Sequence, residues 1–195
     1  YDVNCLDPVE AAKRIVNHKL RPLDIAKIDA NGKIFYAFNI IGWGLATDAG
    51  KLAEKLRWLG GIRYDVASVI EVLKGKNRIA SLTIDNKTIK ENFIFIIACN
   101  TIHTGKAMKM APLAKLDDGK IDLIIVRKTS KVKLLKLFPK LFSGDHIKSP
   151  LVEYKQVNNF SITIEDENDL TIDGEIIGKT PLHVEMLPKL LNVLV

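Results

Sequence analysis

Asp173 and Glu175 flank Gly174, Asp117 and Asp118 precede Gly119, Asp48 follows Gly42-Trp43-Gly44, and Arg57 and Arg63 bracket Leu59-Gly60. A carboxylate can take a hydroxyl proton, pair with an ammonium or hold a hard cation through its oxygens. A guanidinium pairs two phosphate oxygens at once, in a geometry that lysine does not match. Each residue also has a plainer use. Asp173 and Asp118 sit in turn sequences, Asp48 can cap the helix after it, and exposed arginine is ordinary. Local pattern alone favours these plainer uses at the turns and leaves Asp48 evenly divided between capping and ligand binding.

Other chemistries find less support. His18, His103, His146 and His183 share no spacing with a nucleophile or a metal ligand. Cys5 and Cys99 form no Cys-x-x-Cys pair, so reduced structural thiols are expected, with neither a disulfide framework nor zinc. No Gly-x-x-x-x-Gly-Lys-Ser/Thr and no Gly-x-Gly-x-x-Gly occurs, so the chain offers no evident nucleotide cradle of its own.

The elements that would position these residues can be read from periodicity. Asp7 before Pro8, with Glu10 three positions later, marks a helix start, and Val9, Ala12, Ile15 and Val16 give it an apolar face ending near Lys19. Asn31-Gly32 is a type I′ hairpin signal, and the run Ile34 to Ile41, apolar on both faces, is expected to be a central strand. Leu52, Leu56 and Leu59 fit one helical face and Val66, Val69, Ile70 and Leu73 another. Short β-branched runs follow at 79–84, 93–99, 121–126, 151–157, 160–164 and 182–186. Between them Ser130 can cap a helix carrying Val132, Leu135 and Phe138, which Pro139 should kink or end. The expected class is α+β: a largely antiparallel β-sandwich with several peripheral helices, in one domain spanning residues 1–195.

Composition sets outer bounds. With 195 residues, 47% of them hydrophobic, the chain can bury a substantial core. No run approaches the roughly 18 to 20 apolar residues of a membrane-spanning helix, and no targeting signal opens the sequence, so a soluble, cytoplasmic protein is expected. The net charge of +6 suits phosphorylated ligands, anionic membrane surfaces or nucleic acid. Lys131, Lys133, Lys136 and Lys140 cluster near one helix without interleaved aromatic residues, which argues against nucleic acid. A solvated face is the plain account of that cluster, and attraction to a membrane surface is the functional one.

Three blocks carry a family resemblance. Gly42-Trp43-Gly44-Leu45-Ala46-Thr47-Asp48, with Glu54-Lys55-Leu56-Arg57-Trp58-Leu59-Gly60-Gly61-Ile62-Arg63-Tyr64, resembles a block of eukaryotic sphingosine and ceramide kinases. Asn100 to Gly105 and Ala111-Pro112-Leu113-Ala114 through Asp117-Asp118-Gly119 to Asp122 resemble the wider diacylglycerol-kinase-type family. Ile172-Asp173-Gly174-Glu175 is similar to that family's Asp-Gly-Glu motif. Order and intervals agree, so the resemblance covers essentially the whole chain.

The resemblance implies a C-terminal lipid-binding β-sandwich from an ATP-dependent lipid kinase, partnered by an N-terminal ATP-binding α/β domain absent here. It implies that Arg57 and Arg63 meet the ATP phosphates, and that Glu175 and Asp173 act at the nucleotide and metal or on the hydroxyl proton. Asp48 falls in the segment that recognises the lipid head group. The aspartate of sphingosine kinases aligns instead with Gly50, leaving ceramide, diacylglycerol or another acceptor open. Bacterial relatives bind magnesium at positions matching the Asp118 carboxylate and the Lys115 and Lys120 carbonyls. Peripheral membrane association is expected, and homodimerisation is left open. The alternatives are a non-catalytic lipid-binding module and a related kinase acting on NAD.

Overall fold

The computed structural model describes residues 7–18, 20–76, 78–105 and 108–194. Helix α1 (Pro8–Val16) begins as its sequence requires, with the Asp7 carboxylate accepting the Val9 N–H at 3.0 Å and proline in the first turn. Glu10 in the first turn pairs with Arg14 one turn on. The expected helix end near Lys19 falls at a residue outside the described set.

Strands β1 (Leu20–Ala30) and β2 (Lys33–Ala37) form the hairpin announced by Asn31-Gly32, whose φ values of 52° and 79° are those of a type I′ turn. The expected single central strand over Ile34 to Ile41 is two strands. Among the described residues β2 pairs only with β1 and is mostly exposed, whereas β3 (Ile40–Gly44) lies between β5 (Lys87–Cys99) and β9 (Asp169–Ile172). The break at Phe38-Asn39 has a physical cause. The Asp173 carboxylate accepts the backbone N–H groups of Phe38, Asn39 and Ile40, each at 2.9 Å, and so ends one strand and starts the next.

The remaining strands are β4 (Ile79–Ile84), β6 (Ile121–Arg127), β7 (Val152–Val157), β8 (Asn159–Thr163), β10 (Glu175–Lys179) and β11 (Leu182–Leu194). All pairings are antiparallel, and they build two sheets joined through β5. Its first half pairs with β4 in one sheet; its second half pairs with β3 and β6 in the other. The main core lies between the sheets, centred on Trp43, Phe160, Leu82, Ile96, Leu123 and Val184. A second cluster covers the outer face of the β3/β5/β6 sheet with Val72, Met110, Leu134 and Leu137. Burial on both faces explains why 93–99 and 121–126 read as continuous apolar runs. The architecture is the expected α+β sandwich, nearly closed into a barrel. β9 and β10 are additions that the apolar-run pattern did not reveal.

Helices α2 (Leu45–Lys55) and α3 (Arg63–Lys74), separated by a 3-10 segment at Arg57–Ile62, pack across that outer face. The entry to α2 depends on Gly44. Its φ is 88°, and a Cβ there would stand 2.6 Å from the Ile94 carbonyl oxygen. On α3 the buried residues are Ala67, Glu71 and Val72, while Val69 and Leu73 are exposed. Of the expected apolar face, Val66 and Ile70 are half-buried and Val69 and Leu73 point outward, so the helix is rotated from the orientation that periodicity indicates. Ser130 caps α4 (Lys131–Leu137), and Pro139 separates it from α5 (Lys140–Ser143), both as expected.

Candidate functional site

Asp48 lies one turn into α2, on the side facing the end of α3. A cavity of about 170 Å³ opens there, with Leu45, Val72, Ile94 and Leu134 as its apolar floor. Its rim carries Asp48 and Glu71 against Lys76, Arg78, Lys128 and Lys131, and Thr129 and Ser130 add hydroxyl groups. Lys76 and Arg78 both donate to Oδ2 of Asp48, Lys76 at 2.7 Å. Glu71 pairs with Lys74 through Oε1, and its Oε2 lies 3.7 Å from the Lys76 ammonium. That Oε2 is buried without a hydrogen-bond partner among the described residues.

Glu71 and Arg78 are not legible in the sequence as site residues. A single glutamate among apolar helix positions is normally assigned to the outer face, and Arg78 opens a strand with no motif around it. The one available signal is that Glu71 lies in the helix that follows the Arg-x-Leu-Gly-x-x-Arg block and Arg78 lies shortly after that helix.

The structure brings Arg57 and Arg63 together. Both pair with Glu54 on α2, Arg57 through its Nε at 2.7 Å and Arg63 at 3.6 Å, and the Arg63 guanidinium also stands 4.9 Å from the centre of the Tyr64 ring. Gly60, with φ of 57°, turns the 3-10 segment so that the two arginines converge. Arg57 remains 73% exposed, so its guanidinium can exchange Glu54 for an anionic ligand.

Asp173 and Glu175 part company. Both oxygens of Asp173 hold the β2 to β3 switch, whereas Glu175, at the start of β10, is exposed and its carboxylate has no hydrogen bond among the described residues. The turn that separates them keeps the motif at the edge of the sheet containing β3, whose C-terminal end leads into α2 and Asp48.

At the loop 115–120 one Asp118 oxygen accepts the Lys120 N–H at 3.1 Å, as in an ordinary aspartate turn. Lys115 and Lys120 are exposed. The loop is anchored by a residue that the sequence did not single out, the fully buried Asp24. Its carboxylate accepts the N–H groups of Gly119 at 2.6 Å and Lys189 at 2.7 Å. Asp122 is buried beside the same loop, accepting from the Tyr154 hydroxyl at 2.5 Å and Gln156 at 3.0 Å. Burial pushes its carboxyl above the usual range, the two hydrogen bonds oppose this, and the neighbouring Asp118 charge adds to it. Its second oxygen has no partner among the described residues. These donors are all oxygen, which suits a hard cation, although no group of three His, Cys, Asp or Glu side chains converges among the described residues.

Comparison with known proteins assigns the family. The YegS C-terminal NAD kinase beta sandwich-like domain matches residues 39–195. A diacylglycerol kinase of Bacillus subtilis is 28% identical over 184 residues, covering 90% of this chain and 57% of its own length. Sphingosine kinase 1 of Arabidopsis thaliana is 25% identical over 212 residues, covering 85% of this chain and 44% of its own. A crystal structure of a diacylglycerol kinase from Bacillus anthracis superposes with a TM-score of 0.76 at 23% identity, covering 99% of this chain and 62% of that one. The chain thus spans about half the length of the curated relatives it matches. It belongs to the YegS C-terminal domain family, whose members include diacylglycerol-kinase and sphingosine-kinase-type lipid kinases.

Proposed function

We propose that this chain is the lipid-binding lobe of an ATP-dependent lipid kinase, which transfers the γ-phosphoryl group of ATP to the hydroxyl of a sphingoid, ceramide or diacylglycerol-class lipid. The observation that carries the reading is the cavity under α2 and α3: an apolar floor with a charged rim, built by the segment that holds the kinase-like sequence block. Its volume is below the roughly 300 to 1,000 Å³ of pockets that enclose whole ligands, which suits the polar end of a lipid rather than its full chains. A nucleotide-binding domain on a separate part of the protein completes the enzyme.

Phosphoryl transfer is mainly positioning and charge neutralisation. Arg57 and Arg63 supply paired guanidinium groups for phosphate oxygens and release Glu54 as they do so. Glu175, with its carboxylate free of hydrogen bonds among the described residues, takes the hydroxyl proton, while Asp173, two residues before it, ties their shared turn to the β2 to β3 switch. Magnesium at the loop would be held by the Asp118 carboxylate and the Lys115 and Lys120 carbonyls, where it would stiffen the turn. An anionic membrane surface suits the exposed Trp58, Ile62 and Val132 flanked by Arg57, Lys131 and Lys133.

The test is transfer of labelled phosphate from ATP to sphingosine, ceramide, diacylglycerol and monoacylglycerol by the full-length protein. Wild type should label one class, and Arg57→Ala and Glu175→Ala should each lower the rate at least tenfold, about 1.4 kcal/mol of transition-state stabilisation. No transfer to any lipid, or unchanged rates in both variants, would overturn the assignment.

A further inference from the structure

The carboxylates in the cavity are already occupied by cations. Arg78 and Lys76 meet on Oδ2 of Asp48, and the same Lys76 lies 3.7 Å from Glu71, whose other oxygen holds Lys74. Asp48 is only 18% exposed and Arg78 only 11%, so this pairing is partly shielded from water and salt. Lys128 and Lys131 stand on the opposite rim, Lys131 donating to the Leu73 carbonyl and Lys128 exposed without a side-chain partner among the described residues. Four cations against two carboxylates leave the lining with a net charge of +2. An ammonium entering here would find both carboxylates already ion-paired, the second Glu71 oxygen lying buried 3.7 Å from Lys76 without a hydrogen bond among the described residues, and would meet like charge over an apolar floor.

On the reading of the cavity as the lipid site, we propose that Arg78, acting with Lys76, is a specificity residue: it closes Asp48 to a free amine, so the site takes an uncharged, N- or O-acylated lipid alcohol and rejects a free sphingoid base. The exclusion is electrostatic. Ester and amide carbonyls and neutral hydroxyls can accept from Lys128, Lys131, Thr129 and Ser130, whereas a cationic head would have to displace a partly shielded guanidinium from its carboxylate.

A matched ligand pair isolates that charge: sphingosine and N-acetylsphingosine share their backbone, hydroxyls and long chain, and the small acetyl group removes the ammonium charge while adding little apolar surface. Equilibrium binding of each, carried in micelles of a neutral detergent at 0.15 M salt, needs no nucleotide and so is independent of transfer. Wild type should bind the acylated lipid at least tenfold more tightly. In the Arg78→Met/Lys76→Met double variant sphingosine should gain at least fivefold, and adding Asp48→Asn should abolish the gain. Lys76→Met alone, at an exposed position, should give part of the gain, so the test survives if the double variant does not fold. Equal binding of the two lipids by wild type, binding of neither, or a gain that persists with Asp48→Asn would overturn the proposal. If the charge dependence holds but the full-length protein transfers no phosphate, the kinase reading fails while this one stands. If the full-length protein instead phosphorylates free sphingosine in preference to the acylated lipid, the kinase reading stands and the specificity proposal fails.

Discussion

His146 shows how burial sets the behaviour of a single residue. It is fully buried in the 3-10 turn at Asp145–Lys148, with Nε2 2.9 Å from the Met110 carbonyl oxygen. Burial lowers its pKa below the ordinary histidine value, and the Met110 carbonyl and Asp145 oppose this more weakly. The unfolded chain therefore takes up a proton near pH 6.5 that the folded chain refuses, so stability should fall as the pH drops through about 6.5. One such group contributes at most about 1.4 kcal/mol per pH unit. Urea unfolding at pH 7.5 and 5.5 should show a smaller acid loss for His146→Gln than for wild type; equal losses would assign the effect to other groups. No spacing in the sequence assigns this histidine a chemical role, and in the structure it serves packing.

At the scale of elements, local signals were legible and distant ones were not. Asn31-Gly32 specified its hairpin because a type I′ turn depends on two residues, and Ser130 and Pro139 specified the start and interruption of α4 for the same reason. The split between β2 and β3 was hidden, because the carboxylate that causes it lies 134 residues away from Asn39. β9 and β10 were missed because they are short and interrupted by polar residues, so neither makes an apolar run. The face of α3 misled for another reason. Val69 and Leu73 fit the helical period but are exposed, and Glu71, which looks like a solvent residue, is buried among its ion pairs. Val72→Ala should cost about 2 kcal/mol, whereas Val69→Gln and Leu73→Gln should each stay within about 0.5 kcal/mol. Thermal unfolding of the three variants separates these outcomes, and a large loss at Leu73 would restore the face expected from periodicity.

The whole molecule is tied together at Asp24. It binds the loop before β6 through Gly119 and the bend in β11 through Lys189, whose φ is 54°, and the side-chain amide of Asn100 donates to its own carbonyl. Its partners lie 95 and 165 residues away, so no local pattern could single it out. Asp24→Asn replaces one acceptor oxygen with a donor facing an N–H group and should cost about 3 kcal/mol by urea unfolding. Asp29→Asn, at an exposed turn on the same strand, should lose about 1 kcal/mol or less. Similar losses at the two positions would show that Asp24 is not a hub.

The pairing of β1 with β11 also constrains the order in which the chain can fold. The first strand is held through ten partner positions by the last, and β11 in turn links it to β8 and β4. While the chain is being synthesised, β1 and β2 can close their hairpin at once, but β1 must keep its other edge open until β11 emerges. During that interval the edge and the apolar face behind it are available to any other strand. Completion of the sandwich is therefore expected to wait for the synthesis of β11 and to be prone to aggregation at high expression.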